Sequence, residues 1–276
     1  MQKITSPNHI LDLLKPLHPK WPPNVRMHMS TRQGGCSVPP YESLNLGDHV
    51  GDNPLSVQKN RQYLKGITKN RPVFLKQVHG SDVVQLEPST PDGIIADVCF
   101  STHREVACTI MVADCLPILL TNTEGTLVGA AHAGWRGLAG LGCSQGRGVV
   151  ENLMISARPH VLKTGSSNTH WIAWLGPCIG PEHFEVGEEV KEAFASLPGA
   201  AAHFKSLGIS RGQRKWLANL AGLARLKLLQ EGVTIVLGND LGLEGQNWCT
   251  FKQAELFFSH RRDKVSGRMA ASIWLT

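Results

Sequence analysis

Three short stretches of the chain carry side chains that bind metals: Gln77-Val78-His79-Gly80, Ala113-Asp114-Cys115-Leu116-Pro117 and His132-Ala133-Gly134-Trp135-Arg136-Gly137. Each follows an apolar run that reads as a strand. His79, Cys115 and His132 together offer two imidazoles and a thiolate, a donor set that suits zinc as a borderline-soft ion. Zinc with three protein ligands keeps a fourth position open, as catalytic rather than structural sites do. The three residues are far apart in sequence, so only the fold can join them. Taken alone, each has a plainer reading. A histidine before glycine is a turn residue, a cysteine after a strand is a buried inert thiol, and His-Ala-Gly is a tight strand-to-helix turn.

The neighbouring residues add chemistry. Asp114 beside Cys115 is a candidate proton carrier, or a partner of a metal ligand. Gly134 and Gly137 let the backbone approach a ligand, and Arg136 between them offers a planar fork suited to phosphate. The same residues support a second class, a thiol hydrolase or transferase with Cys115 as nucleophile and His132 or His79 as base. A third is a zinc-stabilised binding module without turnover. Cytidine-type deaminases require H-x-E with P-C-x-x-C, but the chain reads His132-Ala133-Gly134 and Pro177-Cys178-Ile179-Gly180-Pro181. The metalloprotease H-E-x-x-H is absent. None of the 12 histidines stands two residues from another, so the H-x-H pairs of multicopper oxidases are missing.

Composition sets the frame. The chain has 276 residues, 42% of them hydrophobic and 18% charged, enough to bury a sizeable core. The net charge of +6 favours anionic partners, but the basic residues are scattered or paired, as in Arg261-Arg262. This points to small anionic ligands rather than nucleic acid. Seven cysteines with no CxxC pair read as reduced thiols of a cytoplasmic protein. Met1 to Lys20 lacks the apolar core of a signal peptide, and no run reaches the length of a membrane span.

The elements that must position these residues follow from periodicity and punctuation. Residues 1–23 read as an N-terminal extension with a short helix around His9–Leu14, and residues 24–276 as a single catalytic domain. Strands are expected at Val25–Ser30, Val73–Leu75, Val83–Leu86, Val106–Val112, Pro117–Thr121, Leu127–Ala131, Trp171–Leu175, Val233–Leu237 and Ala270–Leu275. Asn53-Pro54 opens a helix to about Lys65, carrying Asn60 and Arg61. Further helices are expected at Gly137–Ser156, Val186–Leu197 and Trp216–Gln230. Strands and helices mix without regular βαβ spacing. This predicts a single-domain layered α/β sandwich with mixed sheets flanked by helices.

Taken together, the motifs resemble the YfiH family, also called the multicopper polyphenol oxidase (laccase-like) or purine nucleoside phosphorylase family. The likeness runs from about Val25 to Thr276. Besides the three stretches above, it rests on Ser30-Thr31-Arg32-Gln33-Gly34-Gly35, Ser43-Leu44-Asn45-Leu46-Gly47, His49-Val50-Gly51-Asp52 and Asn60-Arg61. Leu175-Gly176-Pro177, Ile179-Gly180 and Phe257-Phe258-Ser259-His260-Arg261-Arg262-Asp263 continue it. The resemblance implies zinc on His79, Cys115 and His132. It also implies phosphorolysis of adenosine, inosine and methylthioadenosine, with deamination of adenosine. The family's other labels keep a laccase-type oxidase and a Cys115-dependent hydrolase or amidase of peptidoglycan precursors as alternatives.

Under the nucleoside reading, Cys115, Asp114 and Arg61 are the expected catalytic residues. Asn45, Gln77 and Arg136 are the expected contacts to base, sugar or phosphate. The expected partners are a small-molecule nucleoside and phosphate, with no nucleic acid and no membrane, in a monomer or homodimer. The chain departs from the family at Leu217-Ala218-Asn219, where relatives often carry Asp, and in a long segment from Leu141 to Thr169.

Overall fold

The computed structural model describes residues 18–143, 145–162, 169–239 and 248–276. The longest apolar runs became strands that are buried along their whole length: β5 (Val106–Val112), β6 (Leu116–Asn122), β7 (Val128–Ala133), β8 (Trp171–Leu175) and β13 (Met269–Leu275). Strands covered on both faces need no polar alternation, which is why these segments read as continuous apolar sequence. They join β1 (Val25–Met29), β2 (Arg71–Phe74), β3 (Val83–Gln85), β4 (Val98–Ser101) and β12 (Ile235–Gly238) in two mixed sheets. One has the order β1-β13-β5-β2 and the other β12-β8-β6-β7-β4-β3.

Period-two alternation divides each central strand between two cores. Cys99, Leu119, Val128, Ala130 and Trp174 point from the six-stranded sheet toward Met27, Cys108, Ile110 and Ile273 of the four-stranded one. Their neighbours Val98, Phe100, Ile118, Leu120, Ala131 and Ala173 point the other way. There they pack on the helices α3 (Val149–Leu162) and α5 (Leu220–Gln230). The outer face of the four-stranded sheet is covered by Leu44, Leu46 and Leu64, the last from helix α1 (Pro54–Thr68). The layers thus run helix, sheet, sheet, helix, as the mixed strand and helix pattern predicts.

Helix α1 begins where expected. Asn53 accepts hydrogen bonds from the Leu55 and Ser56 amides, and Pro54 occupies the first turn. The single helix expected at Gly137–Ser156 is instead two, α2 (Trp135–Ala139) and α3. Gly140 ends α2 at φ 81°, and a Cβ there would meet the Gly146 carbonyl oxygen at 2.5 Å. The helix expected at Val186–Leu197 is shortened at both ends, and the one expected at Trp216–Gln230 at its N-terminal end. Glu185–Gly187 forms β9, leaving α4 at Glu188–Ala193, and Gln213–Ala218 forms β11, leaving α5. Trp216 pairs with Val186 across these strands, so sheet pairing overrides a helical pattern. The hairpin partner β10 (Phe204–Ser210) was not anticipated, nor was β4. Asn219 caps α5 by accepting from the Gly222 amide, a role Asn and Asp fill equally.

The helix expected at His9–Leu14 lies outside the described residues. Among the described residues, no helix is long and apolar enough to cross a membrane. All seven cysteines are free thiols.

The irregular segment between β1 and α1 is tied down by Asn60, only 1% exposed. Its amide nitrogen donates to Ser37 Oγ at 2.9 Å, the Asn45 carbonyl at 2.8 Å and the Ser43 carbonyl at 3.2 Å. Its oxygen accepts from the Cys36 amide at 3.0 Å. Asn60→Ala leaves several buried groups unpaired and is expected to cost about 2–4 kcal/mol in urea unfolding. A loss below about 1 kcal/mol would mean that water or relaxation replaces these bonds.

Candidate active site

The two main sheets place the metal-competent side chains at one end of the sandwich. His132 lies near the end of β7, opposite Pro117 of β6. Cys115 immediately precedes β6, and His79 sits in the turn after β2. Their ligand atoms all lie within 4.8 Å of one another. Cys115 Sγ is 3.8 Å from His79 Nε2, and the two imidazoles meet edge to face with centroids 4.8 Å apart. His132 is buried, Cys115 half-buried and His79 exposed, so the cluster opens toward solvent on one side. Gly134 makes room for it, since a Cβ there would come within 3.0 Å of His79 Cδ2 and 3.2 Å of Cys115 Sγ.

One residue organises the cluster from behind. Asp97, fully buried at the start of β4, receives the successive amides of Val78 (3.0 Å), His79 (3.0 Å) and Gly80 (2.8 Å) on its carboxylate. Consecutive N–H groups that converge in this way form an anion-binding nest. The wrap holds His79 at φ 61°, a left-handed conformation that histidine seldom adopts. The same carboxylate lies 2.7 Å from His132 Nδ1, leaving Nε2 as the imidazole atom available to a metal. Burial works against the charged form of Asp97. The His132 hydrogen bond and charge, with the Val78 and Gly80 amides, outweigh it and lower the carboxyl pKa.

The cluster's own electrostatics pair a thiolate with an imidazolium, and a metal bound there would displace the His132 proton. Burial pushes the Cys115 thiol up, but the charge and hydrogen bond of His132, joined by His79, bring it down to about 6. Burial pushes His132 down, but the Cys115 charge and the Asp97 hydrogen bond raise it to about 9. The surroundings thus favour the thiolate, the form that binds metals. Two imidazoles, one of them oriented by a carboxylate, and one thiolate fit a three-ligand zinc site.

The triad lines a cavity of about 530 Å³, a volume suited to a small ligand. Met111, Val112, Ile179, Phe184 and Leu220 give it an apolar wall, while Arg136, Arg261, Lys264 and Arg268 bring positive charge. Arg136 lies over the Trp135 ring at 4.4 Å. Arg268 feels the charges of Cys115 and Asp114, but burial outweighs them and lowers its pKa.

The other expected site residues fare differently. Asp114 lines the cavity at φ 87°. Its two oxygens are taken up by Thr250 Oγ1 and the Arg261 amide, each at 2.6 Å. That bonding fixes it as an anchor for the 261 turn. Gln77 reaches the cavity wall, but its amide exchanges two hydrogen bonds of 2.8 Å with the Met111 backbone. Asn45 and Arg61 are not brought to the wall. Asn45 is fully buried and accepts from the Gly47 and Arg268 amides at 2.9 and 2.8 Å. Arg61 donates to the Leu46 carbonyl, pairs with Asp48 at 3.2 Å and stacks on Phe74 at 4.0 Å. It borders a separate cavity. Neither residue lines the triad's cavity. A buried amide and a guanidinium already bonded on three sides support the framework.

Sequence reasoning missed Asp97 and Arg268. A signal for Asp97 was present, a lone carboxylate inside the apolar run from Ile94 to Phe100. Arg268 offered none, being one basic residue before an apolar strand.

A family model described as multi-copper polyphenol oxidoreductase laccase matches residues 26–276. The Escherichia coli K12 protein named purine nucleoside phosphorylase YfiH is 44% identical over 261 residues, covering 93% of this chain and 97% of the relative. A protein from Haemophilus influenzae named purine nucleoside phosphorylase is 40% identical, over 95% of this chain and 99% of the relative. Among solved structures, Neisseria meningitidis protein NMB0706 superposes with a TM-score of 0.78 at 42% identity, covering 93% of this chain and 96% of its own. YlmD from Geobacillus stearothermophilus gives 0.77 at 29% identity, covering 94% of both chains.

Asp97→Asn keeps the size of the side chain but removes its charge. It is expected to weaken zinc binding roughly 10- to 100-fold in a chelator competition. Parental affinity in the variant would show that the strands alone orient the histidines.

Proposed function

The chain belongs to the family described as multi-copper polyphenol oxidoreductase laccase, and from that premise we propose that it is a zinc-dependent purine nucleoside phosphorylase. Adenosine, inosine and methylthioadenosine are the proposed substrates. The relatives named purine nucleoside phosphorylase at 40–44% identity support the reaction class. The observation that carries the reading is one cavity that joins a metal-competent triad, an apolar wall and four basic side chains.

His79, Cys115 and His132 would hold the ion. When bound, zinc supplies a Lewis acid at the cavity wall. The residues of the chain do the rest. Arg136 and Arg268 hold phosphate by charge-assisted hydrogen bonds and place it against the ribose. The dianion they position is also well placed to stabilise positive charge developing at the sugar. Met111, Ile179, Phe184 and Leu220 receive the purine. Asn45 acts at one remove, through its bond to the Arg268 amide. Arg61 does so through Met111, whose Sδ lies 3.9 Å from its guanidinium. Adenosine deamination belongs to the same proposal: water adds at the purine carbon that bears the amino group and ammonia leaves, which requires the base rather than the ribose to face the triad. Held by Thr250 Oγ1 and the Arg261 amide, Asp114 serves it as a fixed negative charge at the wall.

A second reading rests on the 3.8 Å approach of Cys115 Sγ to His79 Nε2. It makes Cys115 the nucleophile of a hydrolase or amidase. Its mark is a covalent adduct on Cys115 in protein shown to be metal-free.

The test is elemental analysis paired with an adenosine-plus-phosphate assay that resolves adenine, inosine and hypoxanthine. Phosphate-dependent adenine release is expected. His79→Ala, Cys115→Ala and His132→Ala should each lower metal content and reduce turnover by about 100-fold or more. Full activity in a metal-free triple variant would sink the proposal. Arg136→Ala should raise the KM for phosphate about tenfold and affect deamination less. Equal losses in both reactions would assign it a structural role.

A further inference from the structure

A ribose brings hydroxyl donors, and the cavity wall is short of acceptors to meet them. Arg136, Arg261, Lys264 and Arg268 can only donate. Both Asp114 oxygens are engaged, by Thr250 Oγ1 and the Arg261 amide. The Gln77 side-chain oxygen accepts from the Met111 amide. His79, Cys115 and His132 face one another as the candidate metal ligands. Among the side chains on the wall, that leaves the imidazoles of His49 and His260 as acceptors.

Of these two, His49 has a carboxylate behind it. Its Nδ1 lies 3.5 Å from Asp48 Oδ1, and the same oxygen lies 3.2 Å from an Arg61 guanidinium nitrogen. Asp48 is exposed, and an ion pair with an exposed partner is weak by itself. Here Arg61 is fixed independently, since it donates to the Leu46 carbonyl at 2.9 Å and stacks on Phe74. The guanidinium therefore holds the carboxylate beside the ring from a rigid position. A carboxylate at Nδ1 keeps the proton there and leaves Nε2 with its lone pair. Burial and the charge of Arg268 lower the His49 pKa against the opposing pull of Asp48, which favours the neutral ring. A neutral imidazole in this tautomer repels a phosphate oxygen at Nε2 and accepts from a hydroxyl. The other histidine–carboxylate pairs among the described residues involve His103 and His132, not His260.

We propose that His49 Nε2 accepts a hydrogen bond from the 2′,3′-diol of the substrate ribose, with Asp48 and Arg61 as positioning residues, so that ribonucleosides are preferred over deoxyribonucleosides. The proposal rests on the phosphorylase reading and names the sugar selectivity of that site. Adenosine, inosine and methylthioadenosine differ at the base or at the 5′ carbon, and methylthioadenosine has no 5′ hydroxyl. The hydroxyls common to all three are those at 2′ and 3′, so an acceptor that serves all three acts on this diol. The coupling of His49 to Arg268 fits that placement. Arg268 belongs to the proposed phosphate position, and the 2′ carbon adjoins C1′, where phosphate attacks. Arg61 thereby gains a function without reaching the wall, since it acts on the sugar through Asp48 and His49.

The experiment measures phosphate-dependent kcat/KM for adenosine, 2′-deoxyadenosine and 3′-deoxyadenosine in the parent, His49→Ala and Asp48→Ala, alongside calorimetric binding of the three nucleosides. Each variant's loss on adenosine is divided by its loss on a deoxynucleoside. That ratio cancels both inactive protein and the differing intrinsic reactivity of the sugars. His49→Ala should lose about three- to tenfold more on adenosine than on the deoxynucleoside that lacks the bonded hydroxyl, the scale of one hydrogen bond. Asp48→Ala should show a smaller loss with the same selectivity, which a merely structural role would not produce. Equal losses on all three nucleosides in His49→Ala would overturn the contact. Equal losses in Asp48→Ala would overturn the positioning role. If the parent cleaves none of them, the phosphorylase reading fails separately, and binding still decides the contact. Adenosine bound more tightly than one of the deoxynucleosides by the parent but not by His49→Ala supports it. Equal affinities, or no binding of any of the three, overturn it.

Discussion

The carboxylate of Asp97 is the interaction on which the site depends. A fully buried charge is costly unless its lone pairs are answered, and here three consecutive amides and an imidazole answer them. The arrangement links two segments that no local preference would bring together. It bends the 77–80 turn into a left-handed histidine and holds the β7 histidine by its far nitrogen. The backbone of one histidine and the imidazole of the other are thereby set by one carboxylate just before β4. The metal-competent cluster follows from a backbone feature as much as from its own ligands.

Around that anchor the sandwich supplies rigidity. Central strands buried on both faces fix the ends of β6 and β7, and the site is built just beyond those ends. Three of the five non-glycine residues at positive φ among the described residues face the cavity. His79, Asp114 and Lys264 all take positive φ, and all three line it. Each is held by specific bonds: His79 by Asp97, Asp114 by Thr250 and Arg261, Lys264 by the turn that closes over it. Strain at functional positions is tolerated where packing and hydrogen bonds overdetermine the conformation.

Much of this was legible in the residues. Buried strands announced themselves as apolar runs, and the Asn53-Pro54 signal marked the start of α1 to the residue. The errors have one physical origin. Segments around Val186 and Trp216 have helical spacing of apolar residues, but they pair with each other as β9 and β11. A pairing between distant segments is invisible to a local pattern. The same limit explains the site. Asn45 and Arg61 look like contact residues because amides and guanidinium groups can bind ligands. In the fold their bonds are spent on the Arg268 amide, Leu46, Asp48 and Phe74. Conversely, Arg268 gave no local sign of its place beside Cys115.

The sequence by itself determined the donor types of the candidate metal site, the strands that end beside it, the layered fold class and the family. These depend on side-chain chemistry, on apolar periodicity and on ordered motifs, all of which are written locally. Only the tertiary structure decided that His79, Cys115 and His132 meet, that Asp97 orients two of them, and that four cations share one cavity. Convergence of distant residues is set by sheet pairing and buried hydrogen bonds, and neither has a local signature in the chain.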